Sequence, residues 1–278
     1  MERLQAALEK ARAQRDQTPA APASQAQAAA PAQPAAEAST PDAWAALGEM
    51  QIDRSQLQRN RVTTVDTGVD SAPFDLLRTR MLQQAKQHGW KRIAIVSPHA
   101  GCGKSTTAIN LALGLARQQS LRSIIFDFDL RRAGLSKIIG QRPSQSVADV
   151  LQGTVSFAEQ ARRYGNNVAF ALNNEDKVNT PSEILQSPRT SQVLDQISAD
   201  YAPDIMLFDM PPLMASDDNF GFLQNVDAAM IMVAAEQTSM SQIDVAERQV
   251  AELTNVMGIV LNKCRYTSGA HGHEYDYY

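Results

Sequence analysis

The stretch "RIAIVSPHAGCGKSTTAINLALGLARQ" (residues 92–118) constrains the fold more than any other part of the chain. Residues 92–97 form an apolar run suited to a buried strand. A turn holding Gly101 and Gly103 follows, and a helix opens at Lys104 and runs to residue 118. A strand that passes through a glycine turn straight into a helix aims the helix's free N–H groups, and its positive dipole end, at whatever lies over the turn. That occupant should be an anion. Lys104 adds a point charge, and Gly101, Cys102, Gly103, Ser105 and Thr106 complete a loop able to cradle phosphates. Ser105 stands where such loops offer a hydroxyl to Mg2+. Pro98 replaces the first glycine of the usual G-x-x-x-x-G-K-[ST], and no G-x-G-x-x-G dinucleotide turn is present. The spacing predicts a nucleoside triphosphate site.

Further apolar runs recur at residues 123–129, 168–172, 204–209, 228–235 and 257–262. They are continuous rather than alternating, as expected of strands covered on both faces. Helical segments such as "SQIDVAERQVAEL" lie between them, and "FDLLRTRMLQQAKQH" is a helix that stops near Gly89. The pattern predicts an α/β fold with a doubly wound, mainly parallel sheet of the P-loop NTPase type. In "TPSE", Thr180 has the place of an N-cap, Pro181 the first helical position and Glu183 the third, which predicts a capping box.

Phosphate chemistry also needs carboxylates at the ends of neighbouring strands to hold a metal's water shell. "DIMLFDMPP" supplies Asp209, and Met210-Pro211-Pro212 then end the ladder. "SIIFDFDLRR" supplies Asp127 and Asp129, whose spacing puts both on one strand face if the strand continues that far.

The ends of the chain differ from its middle. Residues 1–16 carry Met1, Leu4, Ala7, Leu8 and Ala11 at helical spacing, which fits either a solvated helix or a docking peptide. Residues 17–42 are an Ala/Pro linker with nothing to bury, expected to be disordered. A globular domain over 43–265 and a flexible tail over 266–278 complete the predicted organisation. A net charge of −4 argues against coating nucleic acid, and none is expected as a partner. Cys102 and Cys264 have no metal-ligand or disulfide spacing, which suits a reducing cytoplasm. The N-terminus lacks a signal-peptide core, and the longest apolar run, "AAMIMVAA", is too short to span a bilayer. Of six tyrosines, four (Tyr266, Tyr275, Tyr277 and Tyr278) gather in the terminal "RYTSGAHGHEYDYY".

The ordered motifs carry a resemblance. "DFDLRRAGLSKIIG" is similar to the D-x-D-x-R motif of bacterial tyrosine autokinases of capsule and exopolysaccharide biosynthesis, whose fold is related to the MinD/ParA ATPases. "FDMPPLMASDD" resembles their second acidic segment, with a later acid at Asp218, and "NTPSEILQSPR" and "GIVLNK" match two further stretches. The resemblance covers residues 73–278. It implies an ATP- and Mg2+-dependent protein-tyrosine kinase in which Lys104, Asp127, Asp129 and Asp209 are catalytic. Ser105, Asp129 and Asp209 would hold the metal, Arg131 and Asn262 would contact the nucleotide, and Asp127 would take the proton of an incoming tyrosine. The tail tyrosines become the phosphoacceptors, and their modification is expected to weaken self-association by adding charge to an acidic tail. A separate transmembrane polysaccharide chain-length or export protein is the implied partner. It would recruit this cytoplasmic chain to the inner face of the cell membrane, through the N-terminal helix or the basic stretch Arg54, Arg59, Arg61.

Some positions depart from the family. Its E-x-x-R-x-x-R helix is here "APFDLLR", so only Arg78 remains and the familiar ring assembly is in doubt. Ala133 replaces a proline. Cys102 is either a small side chain that fits or a thiol whose oxidation blocks nucleotide binding. A non-kinase positioning or partition ATPase is the alternative, and it usually carries a lysine where this chain has His99. The intact acidic set argues against a degenerate, non-catalytic scaffold.

Overall fold

The computed structural model describes residues 43–264 apart from Lys177. The expected N-terminal helix, the Ala/Pro linker and the four tail tyrosines lie outside the described residues. The strands are β1 (Gly48–Glu49), β2 (Arg92–Val96), β3 (Ser123–Asp127), β4 (Arg162–Tyr164), β5 (Val168–Ala171), β6 (Ile205–Asp209), β7 (Ala228–Ala234) and β8 (Asn255–Asn262). They form one sheet in the order β1-β4-β5-β3-β6-β2-β7-β8. From β5 to β8 every pairing is parallel, and β4 alone turns antiparallel against β5. This is the doubly wound sheet the sequence predicts.

Both faces of the central strands are buried, for a reason visible in the alternation of side chains. Val96, Ile124, Phe126, Met206 and Phe208 point into one core layer. There Phe126 stacks on Phe208 with ring centroids 5.1 Å apart, and Phe128 meets Phe222 edge-on at 4.6 Å. Ile93, Ile95, Ile125 and Leu207 point into the other layer, against the Lys104–Ala116 helix. Continuing that alternation, Asp127 and Asp209 fall on the face that carries the phosphate-loop helix. The aromatic cluster under Phe128 anchors the chain just beyond Asp127.

Three expectations change. β3 ends at Asp127, so Asp129 lies beyond the ladder instead of on its face. Among the described residues β8 is an edge strand paired with β7 alone, and Ile259 and Leu261 are 47% and 60% exposed instead of covered. The helix Pro181–Gln186 begins where expected, with Pro181 first, but Thr180 makes no side-chain cap. Its ψ of 59° turns the hydroxyl away, whereas Ser146, Ser156 and Ser239, all with extended ψ, form capping boxes. Strand β4 went unpredicted because "RRY" has no apolar run; the left-handed Gly165 before Asn166-Asn167 is the hairpin signal that marks it.

Residues 43–71 strap onto the domain through buried Trp44, Leu47, Met50, Leu57 and Val62. Arg54 pairs with Asp66 and Arg59 with Gln56, both on the surface of this strap. On the Ala72–His88 helix, Arg78 donates to Asp75 and to the Gly114 carbonyl, each at 2.9 Å, and Arg117 also pairs with Asp75. The one arginine left from the family's assembly motif is therefore engaged within its own chain.

Candidate active site

The phosphate loop takes the shape its glycines allow. Gly101 and Gly103 have φ of 83° and 96°, the left-handed region that a side chain resists. A Cβ on Gly103 would also lie 2.2 Å from the Asn262 side-chain nitrogen. Lys104 opens the helix and is nearly buried, its Nζ donating to Ser97 Oγ at 2.8 Å. Burial lowers its pKa, while the charges of Asp209 and Asp129 pull it back up.

Asp127 and Asp209 sit opposite each other in the β3–β6 register. Asp127 is fully buried; one oxygen accepts from the Leu135 N–H at 3.2 Å and the other has no partner. Burial, and then the charge of Asp209, push its carboxyl well above the usual range. Burial lifts Asp209 to about 6. Lys104 and the nearby Ser105 hydroxyl pull the other way, and among the described residues neither Asp209 oxygen meets a partner in ordinary hydrogen-bond geometry. Unpaired buried carboxylate oxygens beside Ser105, in the first turn of the helix, are the donor set a hydrated Mg2+ needs, so the residues fit that ion. Among the described residues no three His, Cys, Asp or Glu side chains converge to hold a metal unaided, which leaves nucleotide and water oxygens to complete its shell. Asp129 is partly exposed, and burial raises its pKa as well.

The sequence did not single out Asn173, two residues beyond the end of β5. Its amide donates to the carbonyls of Asp127 and Asp129 at 2.8 and 3.3 Å and so fixes the acid-bearing turn. Only its place just after the apolar run 168–172 hints at this role. Arg131 makes a bidentate pair with buried Asp218, at 2.9 and 3.0 Å. Burial pushes Asp218 up, but hydrogen bonds from Arg131, Ser182 and Ser216 outweigh it and hold the carboxyl below the usual range. Three of the motifs quoted above thus meet at Asp218.

Asn262 reaches the phosphate loop, donating to the Cys102 carbonyl at 2.8 Å, while its oxygen accepts from the Lys263 N–H. Beside it lies a cavity of about 590 Å³ lined by Arg61, Ala235, Glu236, Gln237, Lys263 and Cys264. Arg61, Glu236 and Lys263 all have left-handed φ (58°, 62° and 61°), a strained backbone of the kind that gathers at functional sites. Cys102 is fully buried, with its sulfur against His99 and Thr238. Thr106 continues the helix and gives its carbonyl to Asn110.

A strand, a left-handed glycine turn, a helix-opening lysine and strand-end carboxylates define a P-loop nucleotide-binding protein. A family model described as ParA, NUBPL iron-transfer P-loop NTPase, matches residues 90–278. The chain belongs to this P-loop NTPase family. It is 26% identical over 227 residues to the tyrosine-protein kinase YwqD of Bacillus subtilis, covering 81% of this chain and 93% of YwqD. It is 25% identical over 230 residues to the putative tyrosine-protein kinase EpsB of Ralstonia nicotianae, covering 79% of this chain but only 30% of EpsB. The kinase domain of the Escherichia coli tyrosine kinase ETK shares the fold, with a TM-score of 0.66 and 19% identity over 78% of this chain and 85% of that domain. The chain is thus similar to bacterial tyrosine-protein kinases. Among the described residues no helix is long and apolar enough to cross a membrane.

Proposed function

We propose that the chain is an ATP-dependent protein-tyrosine kinase that phosphorylates the tyrosines of its own C-terminal tail. One observation carries the reading: Lys104, Asp127, Asp129 and Asp209 gather at the C-terminal ends of β2, β3 and β6. The loop N–H groups from Gly101 to Thr106, with Lys104, bind the triphosphate. Ser105, Asp129 and Asp209 would hold Mg2+, which would supply charge neutralisation for the transferring phosphoryl group. The base occupies the cavity beside Asn262, and Arg131 orients the acidic turn from its anchor on Asp218.

In the transfer, the bond from the γ-phosphorus to its bridging oxygen breaks and a bond to the tyrosine oxygen forms. The tyrosine proton passes to Asp127, whose raised pKa suits a general base. Asp129 is the more accessible of the two acids, so the acceptor enters from its side. A free tyrosine has a pKa near 10, so most of the acceleration comes from positioning and electrostatic stabilisation. Tyr266, Tyr275, Tyr277 and Tyr278 are the acceptors, on a tail over 266–278 that follows a kinase domain over 43–265. A separate transmembrane polysaccharide chain-length or export protein recruits the chain to the inner membrane face, through the segment 1–16 on its 17–42 linker. Tail phosphorylation weakens self-association.

Membership of the ParA-type family favours a second reading, a nucleotide-switched ATPase that positions partners without modifying them. Phosphate release and phosphotyrosine, measured together on the full chain with Mg-ATP, separate the two. Phosphotyrosine in the tail supports the kinase. Hydrolysis with an unmodified tail supports the switch.

A further inference from the structure

We propose that His99 is a positioning residue that clamps the phosphate loop to the loop walling the base cavity, so that a bound nucleotide has its phosphates and base held in one register. The inference rests on the nucleotide reading of the site, and it assigns a task to a residue that the transfer itself does not use.

The geometry is a continuous chain of hydrogen bonds. The His99 ring lies 2.9 Å from the Ala100 carbonyl through Nδ1 and 2.9 Å from Thr238 Oγ1 through Nε2. A carbonyl only accepts, so Nδ1 carries the proton and Nε2 accepts from the Thr238 hydroxyl. That hydroxyl in turn accepts from the Ala234 N–H, at the end of β7, at 3.0 Å. Ala235, Glu236 and Gln237, which wall the cavity, are the residues between Ala234 and Thr238. The Thr238 N–H also donates to the Ala234 carbonyl at 2.9 Å, closing the turn that carries the left-handed Glu236.

The other end of His99 leads to the phosphates. Its carbonyl accepts from Ser97 Oγ at 2.7 Å, and that oxygen accepts from Lys104 Nζ at 2.8 Å. The Cys102 thiol donates to the same carbonyl at 3.3 Å, and its sulfur packs 3.6 Å from the ring. One residue therefore touches both halves of the site, across a sequence gap of 139 positions. Asn262 makes the other bridge, from the end of β8 to the Cys102 carbonyl. Without His99 the links between the cavity wall and the phosphate loop that the described residues show are the long Cys102 sulfur–Thr238 contact at 3.9 Å and the far side, at Asn262 and the Ala235–Asn262 backbone bond.

The test uses the full chain, unchanged and as His99→Ala and His99→Gln, with dissociation constants for ATP, GTP and inorganic triphosphate in Mg2+, and thermal melting. Losing one oriented clamp should weaken ATP binding by about tenfold. It should narrow the preference between ATP and GTP and move triphosphate affinity by less than about twofold. The Gln variant, whose amide reaches where Nε2 stands, should recover most of the loss. Unchanged ATP affinity in His99→Ala overturns the clamp. So does an equal loss for ATP and inorganic triphosphate, or a loss that Gln does not rescue. If the unchanged chain binds no ATP, the nucleotide reading itself falls and the clamp falls with it.

Discussion

Asp127 and Asp209 stand opposite one another across the parallel β3–β6 pair, and neither carboxylate has appreciable exposure to solvent. Two buried like charges on adjacent strands oppose folding unless protons or a cation intervene. In the proposed function a bound Mg2+ would offset that repulsion.

Stability should therefore report on this pair. Burial raises Asp209 in the folded chain to about 6, above its ordinary value of 3.8. Its stabilising contribution is complete below the lower value and is lost as pH rises through about 6. Asp209→Asn removes that loss. In urea melts the variant should be more stable than the unchanged apo chain at pH 7.5, by on the order of 1–3 kcal/mol, and the difference should shrink towards pH 4. The same variant should gain less stability from Mg-ATP than the unchanged chain does. An apo difference independent of pH contradicts the assignment.

Lys104→Met keeps the length of a nearly buried side chain and removes its charge. It should leave far-ultraviolet circular dichroism unchanged and weaken ATP binding by at least about a hundredfold, as expected when a phosphate-contacting cation is lost from a site of low polarity. Calorimetric titration checks both the affinity and the stoichiometry.

At the Arg131–Asp218 pair the two partners are unequal. Asp218 is 1% exposed and accepts from Arg131, Ser182 and Ser216, whereas Arg131 is 46% exposed. Asp218→Ala leaves several donors unpaired and should cost about 2–4 kcal/mol. Arg131→Ala leaves the carboxylate two hydroxyl donors and should cost about half as much. Equal losses in chemical denaturation would mean that the pair, and not the network around Asp218, holds the turn.

Arg78 gives a contrasting prediction about assembly. It is tied to Asp75 and the Gly114 carbonyl. Arg78→Ala should leave the molar mass by light scattering unchanged and lower stability by about 1–2 kcal/mol. A smaller oligomer with undiminished stability would show that this arginine serves a neighbouring subunit.

Much of this was legible in the residues. The continuous apolar runs gave the parallel sheet, and the strand–turn–helix spacing placed Lys104 and Ser105, because both depend on local periodicity. Asp127 and Asp209 were found for the same reason, as acids that end such runs. What stayed hidden depends on long-range contact. Nothing local indicates that His99 reaches Thr238 or that Asn173 holds two distant carbonyls. The exposed face of β8 was hidden too, because its apolar run reads like a central strand until the sheet order puts it at an edge. Thr180 failed as a cap because the motif fixes residue type but not the ψ that aims the hydroxyl.

The central claim, transfer of the γ-phosphoryl group from ATP to the chain's own tail through Lys104 and the strand-end carboxylates, is tested most directly by isotopic label. The full chain is incubated with Mg2+ and γ-labelled ATP beside Lys104→Met and a variant with Tyr266, Tyr275, Tyr277 and Tyr278 all changed to Phe, and labelled peptides are mapped by mass spectrometry. The account predicts label on tail tyrosines of the unchanged chain and none on either variant. Labelled inorganic phosphate with an unlabelled tail, or label that persists in Lys104→Met, would contradict it.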